Sequence, residues 1–211
     1  MTAAGEPTDP PPAAESHEDA AWVRITTALT AADLRAFLDD VERLYRINPL
    51  LEIVAFETLG ENRYRLAADN HSNGQRLDAV LAVTAKDSAL EISYSAGLKV
   101  ATHFRVEAAP GGAQLVVTDI YGGGSLEQRR VRAGEVDLSL NAWGRALHDY
   151  LKVWARWSWL APWRWYMRRV WQPMKPSARR VVWMIWVISA FEVVALVALM
   201  AIWGVVRQAS P

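Results

Sequence analysis

Twenty-six consecutive residues, Val181 to Val206, carry a single charge between them, that of Glu192. At about 1.5 Å rise per residue such a helix is about 39 Å long, against a hydrocarbon core of about 30 Å. It is expected to cross a membrane, tilted or with its ends in the interface. Trp183, Trp186 and Trp203 lie near its two ends, where indole rings anchor well. Arg164, Arg168, Arg169, Lys175, Arg179 and Arg180 precede the run and only Arg207 follows it. Positive flanks stay in the cytoplasm. The expectation is therefore a single-pass, tail-anchored protein of the cell membrane, its N-terminal domain cytoplasmic and 207–211 a short tail.

Glu192 lies near the middle of that span, where a charged carboxylate costs about 2.5 to 3.5 kcal/mol. A protonated carboxyl in an otherwise apolar helix is one reading. A hydrogen bond to a second transmembrane helix, in a homo-oligomer or with another protein, is the other. Ser189 and Ala195 flank Glu192 at three-residue spacing and would let helices approach closely.

The rest of the chain has the opposite character. Met1 to Asp149 holds 22 acidic and 14 basic residues, a net charge of −8, whereas Tyr150 to Arg180 holds eight basic residues and no acidic one. A basic block beside an apolar run favours anionic lipid headgroups, at roughly 1 kcal/mol per cation. The acidic domain argues against a nucleic-acid partner, which needs clustered positive charge. Cysteine is absent, which removes disulfides, thiolate nucleophiles and thiolate metal ligands together. Residues 1–20, rich in Pro, Ala and acidic side chains, lack the pattern of an export signal and read as a disordered tail.

Segment 157–180 joins domain to anchor. In and beside it stand Trp154, Trp157, Trp159, Trp163, Trp165 and Trp171, with Arg168 and Arg169 among them. Pro162, Pro173 and Pro176 interrupt any continuous helix. These residues are expected at headgroup level, as an interfacial belt.

Within residues 21–156, Ala21–Leu29 reads as a strand, and Thr30 as the cap of an amphipathic helical stretch running to Tyr45. Strands follow at about 52–58, 63–69, 75–84, 89–95, 98–107 and 113–121, separated by Gly, Asn, Asp and Pro turns. Short regular spacing without intervening helices indicates an antiparallel meander. In the fifth of these strands Leu98, Val100, Thr102, Phe104 and Val106 are expected inside, and Lys99, Ala101, His103, Arg105 and Glu107 outside. From about Val136 a helix returns, with Leu140, Trp143, Leu147, Tyr150, Leu151 and Trp154 within about 100° of arc. Such a stripe must cover the sheet, which makes the domain α+β.

Strand, short helical segment, six-strand meander and long closing helix together resemble the START-like, Bet v 1-like superfamily, which includes polyketide cyclases and lipid-transfer proteins. Ile47-Asn48-Pro49-Leu50 is similar to its Asn-Pro step before the second strand, and Ala109-Pro110-Gly111-Gly112 to one of its turns. The resemblance implies a helix-grip fold: a curved antiparallel sheet wrapped on the long C-terminal helix, with an apolar cavity between them. The transmembrane extension departs from the minimal pattern and suggests a ligand that lives in membranes.

Familiar catalytic signatures are absent. His17, His71, His103 and His148 are too dispersed for a local metal pair, so neither a metal nor a cofactor is expected. Gly122-Gly123-Gly124 lacks the Lys and Ser/Thr of a phosphate loop. Asp119 and Tyr121 are weak catalytic candidates; an edge carboxylate exposed to water is the plainer expectation for Asp119.

The leading expectation is a membrane-tethered binder and carrier of an apolar small molecule such as a lipid or isoprenoid. Its cavity would be lined by Phe104, Leu140, Trp143, Leu147, Tyr150 and Leu151. Two alternatives stand beside it: a cyclase- or dehydratase-type enzyme acting on a hydrophobic substrate, and a non-catalytic adaptor of a membrane complex.

Overall fold

A computed structural model describes residues 20–122 and 126–209, with side chains outside 126–137 and 204–209. His17, the rest of the expected N-terminal tail before Ala20, the end of the triple-glycine turn and the last two residues lie outside that range.

Strand β1 (Ala20–Thr27) opens the domain with Ile25 and Thr27 turned inward. Thr30 then starts α1 (Ala31–Leu38), its hydroxyl oxygen accepting from the Asp33 amide at 3.1 Å. The amphipathic stretch is two helices rather than one. Asp40 accepts from the Arg43 amide at 3.1 Å and so caps a second helix, α2 (Val41–Ile47). Both helices keep one apolar face, and Leu34, Phe37, Leu38, Val41, Leu44 and Tyr45 are all buried. Asn48 ends α2 and turns the chain, its side-chain oxygen accepting from the Leu50 amide at 3.0 Å.

The meander follows as β2 (Leu51–Gly60), β3 (Arg63–Asn70), β4 (Gln75–Ala85), β5 (Ala89–Tyr94), β6 (Lys99–Ala109) and β7 (Gly112–Tyr121). All pairs are antiparallel, in the order β1-β7-β6-β5-β4-β3-β2. β1 therefore closes beside the last strand, and α1 and α2 carry the chain across to the far edge. Every expected strand is present within two residues of its expected ends. At the β6–β7 turn Gly111 has φ +79°, and a Cβ on Gly112 would fall 2.1 Å from the Thr27 carbonyl oxygen. Only glycine fits there.

Helix α3 (Leu126–Trp157) lies in the grip of the sheet. It starts ten residues before the expected Val136. Residues 126–135 contain good helix formers but no apolar stripe, so periodicity alone misses them. Leu140, Trp143, Leu147, Tyr150 and Leu151 are buried. Trp143 meets Phe104 edge-on at 5.6 Å between ring centres and donates its indole N–H to the Leu44 carbonyl at 2.9 Å. α2, the sheet and α3 thus share one core.

After α3 the chain folds back as α4 (Ala161–Tyr166), a π-helical turn (Met167–Trp171) and the long α5 (Pro176–Ala209). Pro162 and Pro176 occupy helix starts, where a missing N–H costs nothing. Trp163 packs on Trp154 at 5.4 Å, Trp171 on Tyr150 at 5.3 Å, and Met167 is buried. Arg179, in the first turns of α5, donates to the carbonyls of Trp171, Gln172 and Arg46 and lies over the Trp171 ring. Lys175 meets Glu52 at 2.7 Å. α5 is long and apolar enough to cross a membrane: within Pro176–Trp203 its most apolar 18-residue stretch has a mean hydropathy of 2.5 and buries nothing against the domain.

Candidate functional site

The site grows from one irregularity in β6. Thr102 stands opposite Asp119 and Ala101 opposite Ile120, but Lys99, not Val100, stands opposite Tyr121. Val100 is an extra residue, a β-bulge, and a one-residue bulge reverses facing on one side of it relative to the other. Thr102, Phe104 and Val106 stay inward as expected, and the residues at and before the bulge, Val100 and Lys99, are reversed. The expected alternation therefore fails at this end of the strand. Val100 points outward and is 51% exposed, while Lys99 turns inward beside Thr102, Asp119 and Tyr121.

Asp119 corrects the expectation of a wet edge carboxylate: it is 0% exposed. The bulge supplies its counter-ion, since Oδ2 takes the Lys99 ammonium and also accepts from the Tyr121 hydroxyl at 3.3 Å. Oδ1 accepts from Thr102 at 2.5 Å. A buried carboxylate without such partners would cost several kcal/mol.

Two further tyrosines extend the network. Tyr94 contacts the Thr102 hydroxyl at 2.9 Å and Tyr45 contacts Tyr94 at 2.6 Å. Burial pushes both phenols above the ordinary tyrosine range, Tyr45 well above it. Burial opposes the Lys99 ammonium most strongly, but the Asp119 charge, the nearby Tyr94 oxygen and the hydrogen bond to Asp119 together outweigh it, so its pKa is raised.

Tyr45, Tyr94, Lys99, Tyr121 and Trp143 all reach a cavity of about 120 Å³ at this end of the sheet. Lys99 Nζ lies 5.1 Å from the Trp143 ring centre. The turns before β4 and β6 form the rim. Gly97, with φ +107°, belongs to that rim, and any Cβ there would meet Leu77 at 3.0 Å.

Of the residues expected to line a cavity, Trp143 does so; Phe104, Leu140, Leu147, Tyr150 and Leu151 are packed in the core instead. Of the weak catalytic candidates, Tyr121 reaches the cavity and Asp119 lies behind Lys99. Nothing in the sequence singles out Lys99, Tyr94 or Tyr45 as a site residue. Tyr45 reads as a helix-stripe residue and Lys99 as a surface residue.

The expected interfacial residues divide. Trp154, Trp163 and Trp171 pack against the domain, whereas Trp157, Trp159 and Trp165 are 41%, 72% and 62% exposed, beside exposed Arg168 and Arg169. Glu192 is exposed on α5. His71 and His103 stand near Glu52 and Glu91 at 3.4 and 3.6 Å, and His148 is exposed. Among the described residues no cluster of three His, Asp or Glu is placed to hold a metal ion.

No family model matches this sequence, and no curated protein does. Among solved structures the chain is similar to a START superfamily protein from Mycobacterium smegmatis, at 18% identity over 63% of this chain and 94% of that one, TM-score 0.49. It is similar to the di-domain ARO/CYC StfQ from the steffimycin biosynthetic pathway, at 12% identity over 65% and 52%, TM-score 0.49. It is similar also to Ara h 8.0201, at 18% identity over 63% and 96%, TM-score 0.41. Likeness at these identities concerns the fold, which the strand order establishes by itself.

Proposed function

We propose that this protein is a membrane-attached binder, and carrier, of an apolar small molecule held between the sheet and α3. The observation that carries this reading is the cavity itself: an opening onto Trp143, Tyr45 and Leu77, with one polar pole built from buried, mutually paired side chains. A sheet that merely needed a core would have no use for a bulge that brings a lysine inside.

The attachment reading rests on α5. Burying its apolar surface in a bilayer is favourable by roughly 25 cal/mol per Å², and the domain covers none of its most apolar stretch. Trp159 and Trp165 with Arg164, Arg168 and Arg169 would meet the headgroups, the basic side chains inward by the positive-flank rule.

The test is mass spectrometry of small molecules retained by the full-length protein purified in mild detergent. The control is Ser139→Phe, which fills the cavity from the α3 side. Trp143→Asp is a poor control, because Trp143 is 1% exposed and its loss would undo the core. A single ligand class present in the parent and absent from the control supports binding. An empty cavity in both favours the adaptor alternative.

The hydrogen-bonded string from Tyr45 to Asp119 favours a second reading, acid–base catalysis of cyclase or dehydratase type with Lys99 as the acid. Deuterium exchange at the activated carbon of a β-diketone, lost in Lys99→Met, would mark it.

A further inference from the structure

We propose, on the binding reading above, that the cavity takes its ligand by an anionic head: a carboxylate carried on one aromatic ring or a short alkyl chain.

The first argument is the direction of the hydrogen bonds. The Asp119 carboxylate can only accept. Thr102 has one hydroxyl proton and gives it to Asp119 at 2.5 Å. Tyr94 must therefore donate to Thr102, and Tyr45 to Tyr94, because each oxygen downstream has its own proton already spent. The string Tyr45→Tyr94→Thr102→Asp119 points every proton away from the cavity. Its phenols cannot donate to an incoming ligand without breaking it.

Lys99 is the opposite case. An ammonium has three N–H donors, and its one acceptor among the described residues is Asp119. It is 22% exposed, in the cavity wall, over the Trp143 ring. What this end of the cavity offers a ligand is therefore a cationic donor, which an acceptor oxygen satisfies.

Charge decides which acceptor. Two charged side chains belong to the described wall, Lys99 and Arg76, and both are cationic. Asp119 is fully buried behind the ammonium. The Lys99–Asp119 pair is neutral as a whole, and Arg76 is an exposed rim cation opposite Asp69 on β3, so the lining itself turns cationic donors and no anion toward a ligand. To an ammonium a carboxylate adds a full charge–charge attraction that a neutral carbonyl lacks.

Size limits the rest of the molecule. About 120 Å³ is well below the roughly 300–1,000 Å³ of pockets for drug-sized ligands, and close to the engineered cavity of about 150 Å³ that takes benzene. The rings of Tyr45, Tyr94 and Trp143 give an aryl or short alkyl group its walls.

The experiment is titration calorimetry of the full-length protein in non-ionic detergent. The probes are benzoate and hexanoate, each against its neutral amide. The variants are Lys99→Met/Asp119→Asn, which removes both charges of the pair together and so leaves no buried carboxylate unpaired, and Ser139→Phe. Expected is binding of the acids at least tenfold tighter than of their amides, with the preference gone in the double variant and all binding gone in Ser139→Phe. Equal affinity for acid and amide, or acid binding retained by the double variant, overturns the anionic head and leaves the cavity reading standing. No acid binding to the parent overturns it too. Binding unchanged by Ser139→Phe places the site elsewhere and sinks both readings.

Discussion

Thr102 and Asp119 stand directly opposite each other on β6 and β7, and the threonine hydroxyl donates to the buried carboxylate at 2.5 Å. This one bond sets the polarity of everything beyond it, since it commits the proton that would otherwise make Thr102 a donor to Tyr94. It also joins the sheet to α2, through Tyr94 and Tyr45.

Replacing Thr102 by Val keeps the shape and removes that bond. A hydrogen bond to a charged group contributes about 1.5–3 kcal/mol, so Thr102→Val should lower the urea unfolding free energy by that amount. A change below about 0.5 kcal/mol, the noise of an ordinary surface substitution, would mean that the string does not form.

The same network predicts alkaline sensitivity. Tyr45, Tyr94 and Lys99 all have pKa values raised by folding, and Tyr150 is pushed up to about 12, chiefly by burial. Each group holds its proton more tightly folded than unfolded. Its contribution is complete below the unfolded pKa of about 10 for Tyr and 10.4 for Lys, and is lost as pH rises through the folded value. Urea midpoints should be flat from pH 7 to 9 and fall above about pH 10. Tyr45→Phe should shallow that fall; an unchanged slope contradicts the assignment.

Arg179 joins α5 to the domain through the carbonyls of Trp171, Gln172 and Arg46. Arg179→Met should free this joint while leaving the core intact. Hydrogen exchange at residues 168–178 should quicken at least tenfold, with protection of β6 and β7 unchanged. Equal protection in both proteins would show that the prolines and Trp171 hold the joint alone.

Glu192 bears on association. Glu192→Leu should raise insertion and, if the carboxyl bonds a second copy, reduce energy transfer between labelled copies in liposomes to that of a random mixture. Transfer that persists in the variant assigns association to other residues.

Core packing offers a further check. Phe104→Ala removes the ring that meets Trp143 edge-on and should cost about 3–5 kcal/mol. A loss under about 1 kcal/mol would contradict the close packing seen between sheet and α3.

Much of the fold was legible from residues alone because its signals are local. Alternation of period two, turn residues between runs, and Thr30 placed to receive the Asp33 amide each need only a few neighbours along the chain. The split between α1 and α2 was also present in principle: Asp40 is a good cap, but the apolar stripe runs past it unbroken and masks it. The candidate site was less legible. Alternation in β6 puts Val100 inside and Lys99 outside, and nothing within the strand announces that Val100 is an extra residue.

By itself, then, the sequence determined the elements, their order, and a C-terminal helix too apolar to be at ease in water. Those follow from periodicity, capping and transfer free energy, all properties of contiguous segments. Only the tertiary structure decided that Lys99 and Asp119 face each other, that Tyr45 on α2 reaches Tyr94 on β5, and that Trp154, Trp163 and Trp171 fold against the domain while Trp159 and Trp165 stay outside. The reason is physical: a bulge reverses facing on one side of it relative to the other, and whether a tryptophan is buried depends on what distant segment lies across from it. Cross-strand register and long-range packing place side chains, and neither is written in the neighbours along the chain.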